Sequence, residues 1–233
     1  MELTDLKAWL DEFNYKDIMH SEREPVAQTI KSILVKINSL IDLNVGYLSL
    51  SRNIPSLSCG EKQRVRIANQ LNCFLRGVIY ILDEPCKGLH YIDISNIIKA
   101  TRKLIENGGS VIAIEHNKQY ISAADNIIEL GPVGGPEGGY IISRTKRYLP
   151  TLGHEIPFKP KLTIKHDRYF ELKNINFRNI NGQSTRIPIG GITCIVGVSR
   201  SGKTSFTKVV LSCFEKTQPI IVILLNVKVQ LKK

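Results

Sequence analysis

Two stretches of this sequence carry residue types and spacings suited to phosphate chemistry. In VIYILDEPCKGLH (78–90) an apolar run ends in two adjacent acids, Asp83 and Glu84. A strand that delivers paired carboxylates to its C-terminal end suits a metal and a water. Asp83 would hold Mg2+ through water, and Glu84 would polarise the attacking water. In GVSRSGKT (197–204) the spacing G-x-x-x-x-G-K-[ST] follows an apolar run, ITCIV, and opens a helical pattern. Glycines there let backbone N–H groups close around phosphate oxygens, and the helix N-terminus adds positive potential. Lys203 would reach the β- and γ-phosphates, and Thr204 would ligate Mg2+. Arg200 is bulky where such loops commonly carry a further glycine. The order is inverted, because the phosphate loop normally precedes the carboxylate pair and here lies far downstream of it.

Two weaker signals accompany these. LSCGE (57–61) opens a helix, and Ser58 with the backbone of Gly60 could bind a γ-phosphate at its N-terminus. The same residues also read as plain structure, since Glu61 lies three positions after Ser58 and fits a capping box. His116 follows the run VIAIE, where it could hydrogen-bond a γ-phosphate or serve only structure. His20, His90, His154 and His166 form no ligand spacing.

The elements that must position these groups follow from periodicity. Ile30, Ile33, Leu34, Ile37, Leu40 and Ile41 make one apolar helical stripe, with Pro25 suited to the first turn. A second helix runs through GEKQRVRIANQL. The pattern then predicts a strand at 78–82, a helix at 93–106 closed by Gly108-Gly109, a strand at 111–115, a short helix at 117–123 and a strand at 126–130. This alternation predicts an α/β fold with a parallel sheet and crossover helices. GPVGGPEGG (131–139) reads as punctuation, because no helix follows it. Residues 141–167 read as a basic linker. FELKNI and TRIPIGGITCIVG then suggest strands, a helix starts near Gly202, and IIVILL (220–225) reads as a buried strand.

The chain has 233 residues and a net charge of +11, unevenly spread. Acids outnumber bases in residues 1–25, whereas bases dominate 141–180. That basic stretch, with Tyr148, Tyr169 and Phe170 nearby, either tracks a phosphate backbone or is a solvated connector. Cysteines 59, 73, 86, 194 and 213 form no CxxC pair, which argues against a zinc site and a disulfide framework and for small buried thiols. No apolar run reaches the ~18 residues of a membrane span, and the acidic, amphipathic N-terminus does not resemble a signal peptide, so a cytoplasmic address is expected.

Taken together, LSCGEKQRVRIANQL, YILDEPCKGLH, VIAIEHN, AADNIIELGPVGGPEGG and ITCIVGVSRSGKTS resemble UvrA, the family of the bacterial UvrABC excinuclease that recognises damage. The resemblance covers roughly residues 1–212. It implies an ATP-binding-cassette ATPase of the P-loop class, with ATP and Mg2+ as cofactors, acting in DNA damage recognition and nucleotide excision repair. DNA would be bound without sequence preference, with excinuclease partner subunits and a homodimer as further candidate partners and no membrane. Carried over residue by residue, Ser58 and Gly60 belong to a first cassette's signature, and Asp83, Glu84 and His116 to its hydrolytic end. Gly197, Ser199, Gly202, Lys203, Thr204 and Ser205 belong to a second cassette's P-loop.

On that resemblance the chain is expected to be a middle slice with incomplete cassettes. Residues 1–140 would be the rear half of the first cassette, and 168–233 the start of the second with an atypical tail. The first P-loop, the partner-binding and inserted modules and the zinc-binding cysteines have no counterpart, and Cys59 stands where glycine is usual. Two geometries stay open. Lys203 could face Ser58 across a cassette interface. Alternatively, GITCIV could fill the slot that the missing P-loop strand leaves beside the strand ending at His116, bringing Lys203 near Asp83 and Glu84. Beside the ATPase reading stand an inactive remnant or interaction module, and a paralogue that protects against DNA-binding drugs.

Overall fold

A computed structural model describes residues 1–14, 19–72, 77–145, 168–216 and 222–225. The chain divides into two compact units, one of Met1–Phe74 with Lys87–Ala100 and one of Leu75–Cys86 with Thr101–Lys233.

The first unit is helical. Its helices α1 (Leu3–Asp11) and α2 (Arg23–Asp42) share a core of Leu3, Leu10, Ile30 and Ile37 with Val45, Leu48 and Leu57. The apolar stripe read at helical spacing therefore faces a real core, although Ile33 on it stays 38% exposed. Helix α3 (Cys59–Leu71) starts where the serine cap predicted. Ser58 Oγ accepts from the Glu61 N–H at 3.2 Å, and the Glu61 carboxylate accepts from the Ser58 N–H at 2.6 Å, closing the capping box.

The second unit holds the sheet. Its strands are β1 (Ile79–Asp83), β2 (Ser110–Ile114), β3 (Asn126–Gly131), β4 (Tyr140–Thr145), β5 (Tyr169–Phe177), β6 (Ile180–Pro188), β7 (Ile192–Gly197) and β8 (Val222–Leu225). Six of them form one sheet in the order β4-β3-β7-β2-β1-β8, and β5-β6 form a separate hairpin. All neighbours in the six-stranded sheet run parallel except β3 and β4. Helix α4 (Tyr91–Glu106) connects β1 to β2, and α5 (Lys118–Ser122) leads from β2 towards β3. Helix α6 (Lys203–Lys216) follows β7. Its Phe206, Val210 and Leu211 join Leu172, Ile175 and Ile187 of the hairpin and Ile112, Ile114, Ile128 and Ile195 of the sheet in one buried core.

The decisive feature is β7. It lies between β3 and β2, with Cys194 opposite Ala113 on one side and Ile127 on the other. Its first five residues are all buried, as a central parallel strand requires. Of the two geometries left open by the sequence, this is the one in which GITCIV fills the slot beside the strand that precedes His116.

Two readings need adjustment. Residues 141–145, read as the start of the linker, continue β4, which completes an antiparallel edge beside β3. Residues 146–167, including Tyr148, lie outside the described residues. Cys86 and Cys194 are buried, and burial pushes both thiols far above their usual range, so they are inert. Cys59, however, is exposed in the first turn of α3. The IIVILL run contains β8, parallel to β1.

Candidate functional site

The carboxyl ends of parallel strands form the edge at which α/β proteins bind ligands. Here β1 delivers Asp83 and Glu84 to that edge, β2 leads into Glu115 and His116, and β7 leads into the loop 197–202. The loop needs its first glycine. Gly197 has φ +147°, and a Cβ there would stand 2.1 Å from the Leu130 carbonyl oxygen of the adjacent strand. The turn closes with Gly202 at φ +101°, and the Phe206 N–H donates to its carbonyl at 2.8 Å to begin α6. The Ser201 hydroxyl is fully buried within the loop and has no hydrogen-bond partner among the described residues.

Lys203 lies over this loop. Its Nζ donates to the carbonyls of Gly197 and Val198, both at 2.8 Å. Partial burial lowers its pKa, while Glu84 and then Asp83 pull the other way. Both carboxylates are thus close enough to stabilise the ammonium electrostatically. Glu84 itself has φ +48°, a left-handed conformation that bulky residues avoid, and its N–H donates to the Ile114 carbonyl at 2.9 Å. Strain of this kind concentrates at functional positions.

A cleft of about 690 Å³ opens beside the loop, lined by Gly202, Lys203, Thr204 and Ser205 together with residues from two other segments. One is the hairpin turn at Arg178 and Asn179. The other is Gly135 and Pro136 of the stretch read from sequence as punctuation. That stretch is a brace. The Gly135 N–H donates to the Arg200 carbonyl at 3.0 Å, and Asn179 Nδ2 donates to the Gly135 carbonyl at 3.2 Å. A Cβ at Gly134 would come within 2.3 Å of the Ser199 carbonyl oxygen, so only glycine permits the two loops to meet. The glycine spacing was the available signal, but the absence of a following helix turned the reading away from it.

Glu115 was also missed. It is 3% exposed, and its carboxylate accepts from the backbone N–H groups of Cys86, His116 and Asn117 at 2.6, 2.7 and 2.8 Å. It thereby ties the turn after Glu84 to the segment carrying His116. A buried acid directly before the singled-out histidine was the only hint in the sequence.

The structure therefore gathers Lys203, Thr204 and Ser205 around one cleft and sets Asp83 and Glu84 within electrostatic reach of Lys203. Gly197 and Ser199 shape the loop from behind. His116 is exposed beyond β2 and is not among the residues lining the cleft. Ser58 and Gly60 belong to the first unit. There Glu61 also accepts from Tyr47 Oη at 2.9 Å and pairs with Arg52 at 3.3 Å, and Gly60 is buried with Leu89 against it.

Comparison with known proteins shows what the chain is similar to. The UvrABC system protein A of Helicobacter pylori is 35% identical over 206 residues, which cover 84% of this chain and 22% of that protein. Its counterpart from Aquifex aeolicus is 36% identical over 218 residues, 87% of this chain and 23% of that one. The protein from Vitreoscilla stercoraria is 34% identical over 220 residues, covering 86% and 38%. The crystal structure of UvrA2 from Deinococcus radiodurans superposes with a TM-score of 0.58 at 27% identity, over 92% of this chain and 29% of that one. The chain is UvrA-like. It corresponds to only part of UvrA, spanning 22–38% of the length of these relatives. No protein-family model matches the sequence. The UvrA likeness agrees with the α/β, parallel-sheet fold. No helix among the described residues is long and apolar enough to cross a membrane.

Proposed function

We propose that this UvrA-like chain binds Mg-ATP at residues 197–205 and hydrolyses it within one composite core, as an ATPase component that acts on DNA. The observation that carries this reading is the insertion of β7 between β3 and β2, which brings the phosphate loop and the carboxylate pair to the same sheet edge. The inverted order in the sequence is then a circular permutation of the usual one. The donor set suits the ligand: a loop of backbone N–H groups, a helix N-terminus, Lys203 and a cleft of about 690 Å³.

In this reading Lys203 leaves its two carbonyl partners for the β- and γ-phosphates. Thr204 and Asp83 would hold Mg2+, which would supply charge neutralisation at the phosphates. Glu84 orients and polarises the attacking water, and His116 hydrogen-bonds the γ-phosphate. Ser58 and Gly60 would act on nucleotide as a signature, at the N-terminus of α3, with a second copy of the chain as the proposed partner. The net charge of +11 supports salt-sensitive, sequence-independent DNA binding, and the similarity to UvrABC system protein A supports a part in DNA damage recognition and excision repair. A cytoplasmic setting belongs to the same reading.

The test is Mg-ATP binding by the purified chain and by Lys203→Ala, followed by phosphate release from the same samples and from Glu84→Gln. The expected outcome is binding lost with Lys203 and release lost with Glu84 while binding persists. Binding that ignores Lys203 would sink the site. Release that ignores Glu84 would sink the composite core and favour a module that binds without hydrolysing.

A further inference from the structure

Arg200 and Arg178 share an unusual pair of properties. Both line the cleft that holds Lys203 and Thr204, and both have left-handed backbones, at φ +62° and +56°. For a residue with a Cβ that conformation is unfavourable, whereas glycine adopts it freely. Arg200 is held in it by the Gly135 N–H on its carbonyl. Arg178 opens the two-residue turn between β5 and β6, where glycine or asparagine is the usual choice. Neither guanidinium has an ion-pair partner among the described residues, and Arg178 has only the Phe177 ring beneath it, at 5.6 Å. With Lys203 they make three cations on a cleft whose described lining includes no carboxylate. Backbone strain of this kind clusters at active sites and ligand clamps.

We infer that Arg178 and Arg200 are two further phosphate-binding groups, flanking the loop from opposite segments, so that the cleft selects the polyphosphate chain of a nucleoside triphosphate. Arg200 reaches the phosphates from the loop itself, and Arg178 from the hairpin turn. Guanidinium suits this role, since its planar fork donates two parallel hydrogen bonds to phosphate oxygens. The inference deepens the nucleotide-binding reading above and rests on it.

The experiment compares the affinity of the full chain for Mg-ATP, and for inorganic tripolyphosphate as a base-free probe, with that of Arg200→Gly, Arg200→Gln, Arg200→Lys and Arg178→Gly. Lys203→Ala is the control, and the thermal midpoint is followed throughout. The glycine variants should melt no lower than the parent, because they lose backbone strain. They should nevertheless bind both probes about tenfold more weakly or worse, the effect of removing one charged hydrogen-bonding group. Arg200→Gln, which keeps the strained Cβ and loses the charge, should weaken as much as Arg200→Gly, and Arg200→Lys should retain most of the affinity. If the glycine variants bind like the parent while Lys203→Ala does not, the inference is wrong and the nucleotide site stands. If Arg200→Gln binds like the parent, loop flexibility rather than charge explains the glycine effect, and the inference again fails. If Lys203→Ala binds like the parent, or the parent binds neither probe, the nucleotide site itself falls and the inference with it.

Discussion

The placement of β7 can be tested without any ligand, by a double-mutant cycle across its junction with β2. Ile195 lies directly opposite Ile114 and, on its other side, opposite Ile128. All three are 3% exposed or less and share one core. Truncating Ile195 to alanine removes three carbons from a fully packed position, at a cost of about 2–5 kcal/mol, and Ile114→Val costs roughly 0.5–1.5 kcal/mol. The sum stays below about 7 kcal/mol, within the ~5–15 kcal/mol typical of a folded domain, so the double variant should remain measurable. Side chains in contact share the cavity, and their effects depart from additivity by at least about 0.5 kcal/mol. Urea unfolding would be followed by the near-ultraviolet signal of Tyr80 and Tyr120, both buried in the second unit. If residues 168–216 formed a body apart from β1–β3, the two substitutions would add to within about 0.3 kcal/mol. That outcome would refute both the composite sheet and the hydrolytic core built on it.

Other expectations follow from particular contacts. Glu115→Ala strips three backbone N–H groups of their acceptor. The buried Cys86 N–H cannot turn to water, so a loss of about 2–4 kcal/mol is expected by urea unfolding, and a loss under about 1 kcal/mol would deny Glu115 its tying role. Gly134→Ala drives a methyl into the Ser199 carbonyl, and calorimetric titration should find Mg-ATP binding weakened although the substituted residue touches no ligand. Glu61 is held at about 2 rather than its ordinary 4.5, first by the Ser58 backbone N–H, then by the Ser58 side chain, with Tyr47 and Arg52 adding to it. A depressed carboxyl stabilises the fold above its unfolded value. The contribution should therefore be complete above pH 4.5 and vanish as the pH falls towards 2. The same acid titration of Ser58→Ala should show a smaller drop through that window, by about 1 kcal/mol for the lost cap, and an unchanged profile would count against the capping box as its source.

How much was legible depended on range. The start of α3 could be read because a serine cap and its glutamate answer each other within one turn. The loop at 197–204 could be read because glycine, lysine and threonine at that spacing have few other uses, and the strand and helix around it are local patterns. The apolar runs ending at Asp83 and before Glu115 announced parallel strands by being buried on both faces. β4 escaped notice because a short edge strand next to glycine-rich punctuation carries little periodicity.

By itself, then, the sequence determined most of the helices and strands, which residues are candidates for holding phosphate and metal, and the UvrA likeness. These depend on neighbours a few positions apart. The tertiary structure alone decided where β7 goes. A strand apolar on both faces suits any central slot, and the choice between β3 and β2 follows from burying both of its neighbours at once. It alone also turned GPVGGPEGG into a brace, since a close backbone approach across some sixty-five positions leaves no periodic mark. And it alone placed two arginines in left-handed turns at one opening, because a φ angle is imposed by the fold that surrounds the residue and not by the residue itself.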